Sequence, residues 1–198
     1  METRSHYYPL LQKLLELPAF TATQAVQAGI PRHALAYFQK IGMLEHVGRG
    51  VYRDSSYESD SDPLLEGLAI ASSNVPDCAI CLISALSYYE LTDEIPREYW
   101  LAIPHKRRAP NRRGVRAVRM RNMETGLSSI CVEGQTMAIF DRERCIIDAF
   151  RYLSPEIAIK ALQRYLNDKE RKPNLNKLKD YAQQLRVNIK PYLLSLMI

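Results

Sequence analysis

The sequence predicts an α+β fold in two parts, an N-terminal winged helix-turn-helix followed by a mixed α+β domain. Three observations predict it. In residues 21–53 two short helix-periodic segments are separated by Gly29-Ile30-Pro31 and followed by two short strand-like runs around Gly48-Arg49-Gly50. A polar, acidic stretch, RDSSYESDSDP at 53–63, then interrupts the hydrophobic pattern. Beyond it the chain carries helical and strand periodicities with the strands clustered in the middle and helices at the end. The predicted division is residues 1–54 as the winged helix-turn-helix, 55–63 as an acidic linker, and 64–198 as the C-terminal α+β domain.

Each element has a local reason. Thr23 can cap a short helix, Ala25 to Ala28 are small enough for close crossing, and Gly29 supplies the left-handed residue that stops the helix. Pro31 suits a first helical position. In the next segment Ala34, Leu35, Phe38 and Ile41 recur at helical spacing and are expected to face a core, leaving Arg32, His33, Ala36, Tyr37 and Lys40 outside. Gly42 ends that helix; Met43, Leu44 and Val47 lead into one strand, and Val51 and Tyr52 return after a turn with Arg49 at its tip.

In the second part, Leu64, Leu65, Leu68 and Ala69 suit one helix and Leu82, Ala85, Leu86 and Tyr89 another, ending near Leu91-Thr92. Strands are expected at 99–103, 115–121, 130–132 and 137–140. Val118 and Met120 fall on one face of the second of these and Arg119 and Arg121 on the other. Asp141 can cap a helix with Cys145, Ile146, Ala149, Phe150 and Leu153 on one stripe, and Ser154-Pro155-Glu156 starts the next, with Ile157, Ala161, Leu162, Tyr165 and Leu166. A further helix follows Asn174, and the tail from Ile189 is apolar enough to dock.

Charge is unevenly distributed. The 198 residues carry a net charge of +5. Residues 55–98 hold one basic and nine acidic residues, whereas 99–121 hold eight basic and none acidic. Those eight are Lys106, Arg107, Arg108, Arg112, Arg113, Arg116, Arg119 and Arg121. All but one are arginine, whose planar fork suits phosphate, and the Pro-Asn-Arg-Arg-Gly turn between two strands suggests a basic β-hairpin whose arginines share a surface. Binding to a phosphate backbone is driven largely by counterion release and needs such cations. The expected DNA contacts are therefore Thr23, Gln24, Arg32, His33, Tyr37, Lys40 and Arg49 from the first domain, together with the basic hairpin.

Enzyme motifs are missing from the sequence. There is no P-loop, H-E-x-x-H or G-x-S-x-G, and His6, His33, His46 and His105 are scattered. Cys78-x-x-Cys81 has no second pair to complete a zinc site and lies in Cys78 to Leu86, an apolar run expected to be helical, so buried thiols are expected and neither metal nor cofactor is assigned. The one carboxylate-x-lysine triplet weighed for a metal-dependent nuclease, Glu170-Arg171-Lys172, sits at a polar helix end before Pro173. Met1 to Pro9 is polar and no run reaches about 20 apolar residues, so a cytoplasmic protein without membrane association is expected.

The Gly-Arg-Gly-Val-Tyr wing, the Ser84-Ala85-Leu86 helix with Leu91-Thr92, Trp100-Leu101-Ala102 with its basic sequel, and Glu143-Arg144-x-x-x-Asp148 follow one another along the chain. In this order they resemble the AbiEi-type antitoxins of type IV, or abortive infection, toxin-antitoxin systems. Where many relatives have Glu-Arg-Thr this chain has Glu143-Arg144-Cys145, a departure expected to affect packing. The resemblance implies a bacterial, non-enzymatic transcriptional repressor whose winged helix binds inverted repeats in its own promoter. It also implies a C-terminal domain that opposes a nucleotidyltransferase-like toxin without a stable complex, and a basic surface, Lys106 to Arg121, that helps DNA binding. The alternative reading is a ligand-responsive winged-helix regulator, with a metal-dependent nuclease behind it.

Overall fold

The computed structural model describes residues 6–48, 50–57, 62–73, 75–110, 112–132 and 135–196. By its contacts the chain divides into two units, residues 1–76 with 131–137, and residues 77–130 with 138–198. The division falls after Pro76 and not within 55–63. The reason is visible in the first unit, where Arg53 pairs with Glu45 (2.8 Å) and with Glu66, fastening the helix that follows the acidic stretch to the strand that precedes it.

That first unit runs α1 (Tyr8–Leu15), β1 (Phe20–Thr21), α2 (Ala22–Gln27), α3 (Arg32–Lys40), β2 (Leu44–Gly48), β3 (Val51–Asp54) and α4 (Pro63–Ser72). Its sheet has the order β1-β3-β2, both pairings antiparallel. The helices close over a core of Leu11, Phe20, Ala25, Ile30, Ala34, Leu35, Phe38 and Leu44. This is the expected winged helix-turn-helix.

Local chemistry explains the tight joins and moves three of them by a residue or two. Thr21, not Thr23, caps α2: its hydroxyl accepts the Gln24 N–H (3.0 Å) while Gln24 Oε1 accepts the Thr21 N–H (2.7 Å), a reciprocal capping box. Thr21 wins because it ends β1 in extended conformation, which the capping position requires, whereas Thr23 is already helical. Pro31 stands at the N-cap of α3, one residue before the first helical position. Gly29, at φ +90°, makes the turn between α2 and α3 that an L side chain resists. Ile41, expected in the core, is the C-cap of α3 and 48% exposed, because the helix ends before its stripe completes another turn.

The second unit contains β4 (Ala79–Ile80), α5 (Leu82–Tyr88), β5 (Tyr99–Pro104), β6 (Val115–Met120), most of β7 (Leu127–Val132) and the second half of β8 (Gln135–Phe140), then α6 (Arg142–Tyr152), α7 (Pro155–Asn167), α8 (Leu175–Gln184) and α9 (Lys190–Leu196). The sheet order is β6-β5-β4-β8-β7, with β4 antiparallel to β5 and parallel to β8. The fold is thus mixed α+β throughout.

Two expectations are corrected here. Cys78 to Leu86 is not one helical run: β4 occupies Ala79–Ile80, and the chain turns at Leu82 with φ +48°. Of the four free cysteines, Cys81 and Cys145 are buried, Cys78 is half-buried and Cys131 is exposed. Burial pushes the Cys78 thiol up to about 11 and also raises Cys81 and Cys145, which makes all three poor nucleophiles and poor ligands. The second correction concerns the hairpin: β5 and β6 are parallel neighbours, Tyr99 opposite Val115 and Pro104 opposite Met120.

Asp141, Ser154 and Asn174 cap α6, α7 and α8 as expected, each accepting a backbone N–H three residues on. The tail docks through Ile189 and Leu193, with the Tyr192 ring 4.7 Å from that of Phe150. Among the described residues no helix is long and apolar enough to cross a membrane.

Candidate nucleic-acid interface

In the first unit the exposed face of α3 is set by its buried one. Ala34, Leu35 and Phe38 lie against the core, and the helical period then turns Arg32, His33, Ala36, Tyr37, Gln39 and Lys40 outward, all of them exposed. Tyr37 is 46% exposed, with its ring edge-on to Phe38 at 5.6 Å, so the core limits where it can swing. His33 packs edge-on against Tyr7 at 6.4 Å, which ties the start of α3 to the start of α1. Among the described residues neither Arg32 nor Lys40 forms an ion pair, so both keep their charge for an outside partner. Thr23 and Gln24 are exposed at the start of α2, but Gln24 is partly committed because its Oε1 belongs to the capping box.

The wing is the β2–β3 ribbon. Its register slips between His46 and Gly48, and Gly50, at φ +68°, donates its N–H to His46 Nε2 (3.3 Å) while the His46 ring stands edge-on to Tyr52 at 5.3 Å. Arg49 lies outside the described residues. The wing's other arginine, Arg53, is spent on Glu45 and Glu66.

In the second unit the basic residues are arranged by the parallel crossover. A hairpin turn needs two to five residues, whereas a chain entering a parallel neighbour must return the length of a strand, roughly 20 Å for six residues. Residues 105–114 make that return, so Lys106, Arg107, Arg108 and Arg113 are spread along it, with Arg107 held by Asp77. Arg112 is partly buried, which lowers the affinity of its guanidinium for the proton. On β6, an edge strand, alternation separates the arginines: Arg116 sits across from Trp100 with its guanidinium 4.2 Å from the indole, while Arg119 belongs to the opposite face, and Arg121 follows the strand. The eight cations therefore do not share one surface. Lys106, Arg108, Arg113, Arg119 and Arg121 are exposed and free of ion pairs among the described residues.

A buried polar network supports this region, and sequence reasoning did not find it. Arg144, fully buried, donates from Nε to Asp148 (2.7 Å), from Nη1 to the Thr125 carbonyl (2.6 Å) and from Nη2 to the Asn122 carbonyl (2.9 Å), with its guanidinium 4.3 Å from the Phe140 ring centre. It thus pins residues 122–125, immediately after Arg121, to α6. Gly126 (φ +72°) is required there, since a Cβ would stand 2.6 Å from that of Arg144. Beside it, Glu143 accepts from Tyr165 (2.7 Å), and Lys177 bridges Asp141 (3.0 Å) and Glu143 (3.1 Å). The available signal was Glu143-Arg144-x-x-x-Asp148 itself, an i,i+4 charged pair on a helix whose residues 143–149 are all buried.

Helix pair, three-stranded antiparallel sheet and exposed basic helix define the first unit as a winged helix-turn-helix of the kind that places a helix in a DNA groove. Residues 11–53, which cover α1 to β3, match the family model described as a transcriptional regulator, AbiEi antitoxin. Among solved structures, the RV2827C protein from Mycobacterium tuberculosis has a similar fold, with a TM-score of 0.53 at 15% identity. The similarity covers 83% of this chain and 66% of that one, just under two thirds of its length. A comparison with curated proteins finds no match.

Proposed function

We propose that this chain is a DNA-binding autorepressor and antitoxin of a type IV toxin-antitoxin system. It binds inverted repeats in its own promoter and opposes a nucleotidyltransferase-like toxin without forming a stable complex with it. The observation that carries the reading is the exposed Arg32–Tyr37–Lys40 face of α3, set on a buried stripe inside the segment that matches the AbiEi antitoxin regulators. Arg32, His33, Tyr37 and Lys40 read base edges in the major groove, each good contact contributing roughly 1–3 kcal/mol of discrimination. Thr23 and Gln24 hold phosphate, and Arg49 contacts phosphate or the minor groove. Lys106, Arg108, Arg113, Arg119 and Arg121 add attraction that is independent of sequence.

Footprinting with DNA from the chain's own upstream region tests the first half: protected, repeated half-sites are expected at low ionic strength, and an unprotected fragment would end the reading. Co-expression with the neighbouring nucleotidyltransferase-like gene tests the second, with growth rescue expected and no co-purification of the two proteins.

A further inference from the structure

We propose that the cleft between α8 and α9 is a binding site for a small amphipathic carboxylate, an apolar body with one anionic head. The cleft has a volume of about 500 Å³, within the range of small-molecule pockets. Its lining includes Leu175, Ala182, Val187, Ile189 and Leu193, with Lys179 and Lys190 on opposite helices. Both lysines are exposed and, among the described residues, neither is in an ion pair, in contrast to Lys177 two residues along α8, which Asp141 and Glu143 engage. An apolar recess flanked by two available ammonium groups is complementary to a ligand that is apolar at one end and negative at the other.

The cleft is also built before any ligand arrives. Val187 donates its N–H to the Ala182 carbonyl (2.8 Å) and Arg186 donates to Gln183 (3.1 Å), with Arg186 left-handed at φ +57°, a Schellman closure that fixes the turn between the helices. That turn contributes Val187 and Asn188 to the lining. The site depends on the second unit alone and stands or falls independently of DNA binding.

The test is a titration of the full chain with decanoate below its micelle concentration, followed by amide chemical shifts. Saturable shifts confined to residues 175–196 are expected, with decanol and decyltrimethylammonium binding about tenfold more weakly, the size of two partly exposed charge contacts. Lys179→Glu with Lys190→Glu should weaken decanoate by at least that factor, and Gln183→Trp, an exposed position on the lining, should occlude it while leaving the spectrum folded. Absence of saturable shifts, equal binding of all three amphiphiles, or undiminished binding by the folded double variant would overturn the proposal. So would an acidic amphipathic peptide that perturbs the same residues when decanoate does not.

Discussion

Arg144 is the side chain on which the polar interior of the second unit converges, and its energetics are not those of a surface ion pair. Burial pushes the Asp148 carboxyl above the usual range, although Arg144 and Arg151 both pull it down. A raised carboxyl contributes stability at low pH and loses it as pH rises, so the buried pair is held for geometry more than for net energy. Removing Arg144 is another matter, because the buried Asp148 is then left with the part-exposed Arg151 as its one ion-pair partner among the described residues. Arg144→Met should cost about 3–5 kcal/mol in urea denaturation, since it removes the donors to Asp148 and to the Thr125 and Asn122 carbonyls, while Arg144→Met with Asp148→Leu should recover part of the loss. Lys177 is also raised, but by pairing and not by burial. Burial alone would lower it, but hydrogen bonds to Asp141 and Glu143 outweigh that and raise it. Its contribution is complete below the unfolded lysine value of about 10.4 and disappears as pH climbs past the folded one. The stability difference between the wild type and Lys177→Met, at most about 1 kcal/mol for so exposed a group, should therefore be flat from pH 6 to 10 and shrink above.

Among the elements, α2 offers the sharpest separation between structure and recognition. Thr21→Ala removes the reciprocal cap and should cost about 1 kcal/mol, read as a lowered thermal midpoint. Thr23→Ala, at an exposed helical position, should leave the midpoint unchanged and weaken DNA binding instead. The sequence alone does not separate these two threonines, since both precede the same apolar run and only the pairing of Phe20–Thr21 with Val51–Tyr52 shows where extended chain ends. Much of the rest was legible because it is local: the buried stripe of Ala34, Leu35 and Phe38, the caps Asp141, Ser154 and Asn174, and the left-handed Gly29 are all written within a few residues of where they act. The parallel crossover was not legible, because β5 and β6 with ten residues between them satisfy the same alternation whether paired as a hairpin or in parallel. Two-residue strands such as β1 and β4 carry no periodicity at all, and the partners of Arg144 at 122 and 125 are backbone carbonyls, to which side-chain identity gives no clue.

Across the whole molecule, a net charge of +5 conceals one segment of −8, residues 55–98, followed by one of +8, residues 99–121. Under the proposed function the two units offer DNA cations in different settings. Those of α3 sit on a short face beside Tyr37 and can meet base edges, whereas those of the crossover and β6 are mostly guanidiniums, dispersed over more than one surface, and suit phosphates, whose positions carry no sequence information. Specificity and salt dependence should therefore separate genetically. Replacing Arg108, Arg113, Arg119 and Arg121 by glutamine should weaken binding to operator and unrelated DNA alike. It should also reduce the slope of log affinity against log salt by about 0.9 for each phosphate contact removed, with the ratio of specific to non-specific affinity unchanged. Arg32→Ala should do the reverse, lowering that ratio by roughly 1–3 kcal/mol while changing the slope by no more than one contact. The measurement is a salt series on both variants with operator and scrambled duplexes. A glutamine variant with an unaltered slope would remove the second unit from the DNA contact, and an Arg32→Ala variant with an unaltered ratio would remove α3 from sequence readout.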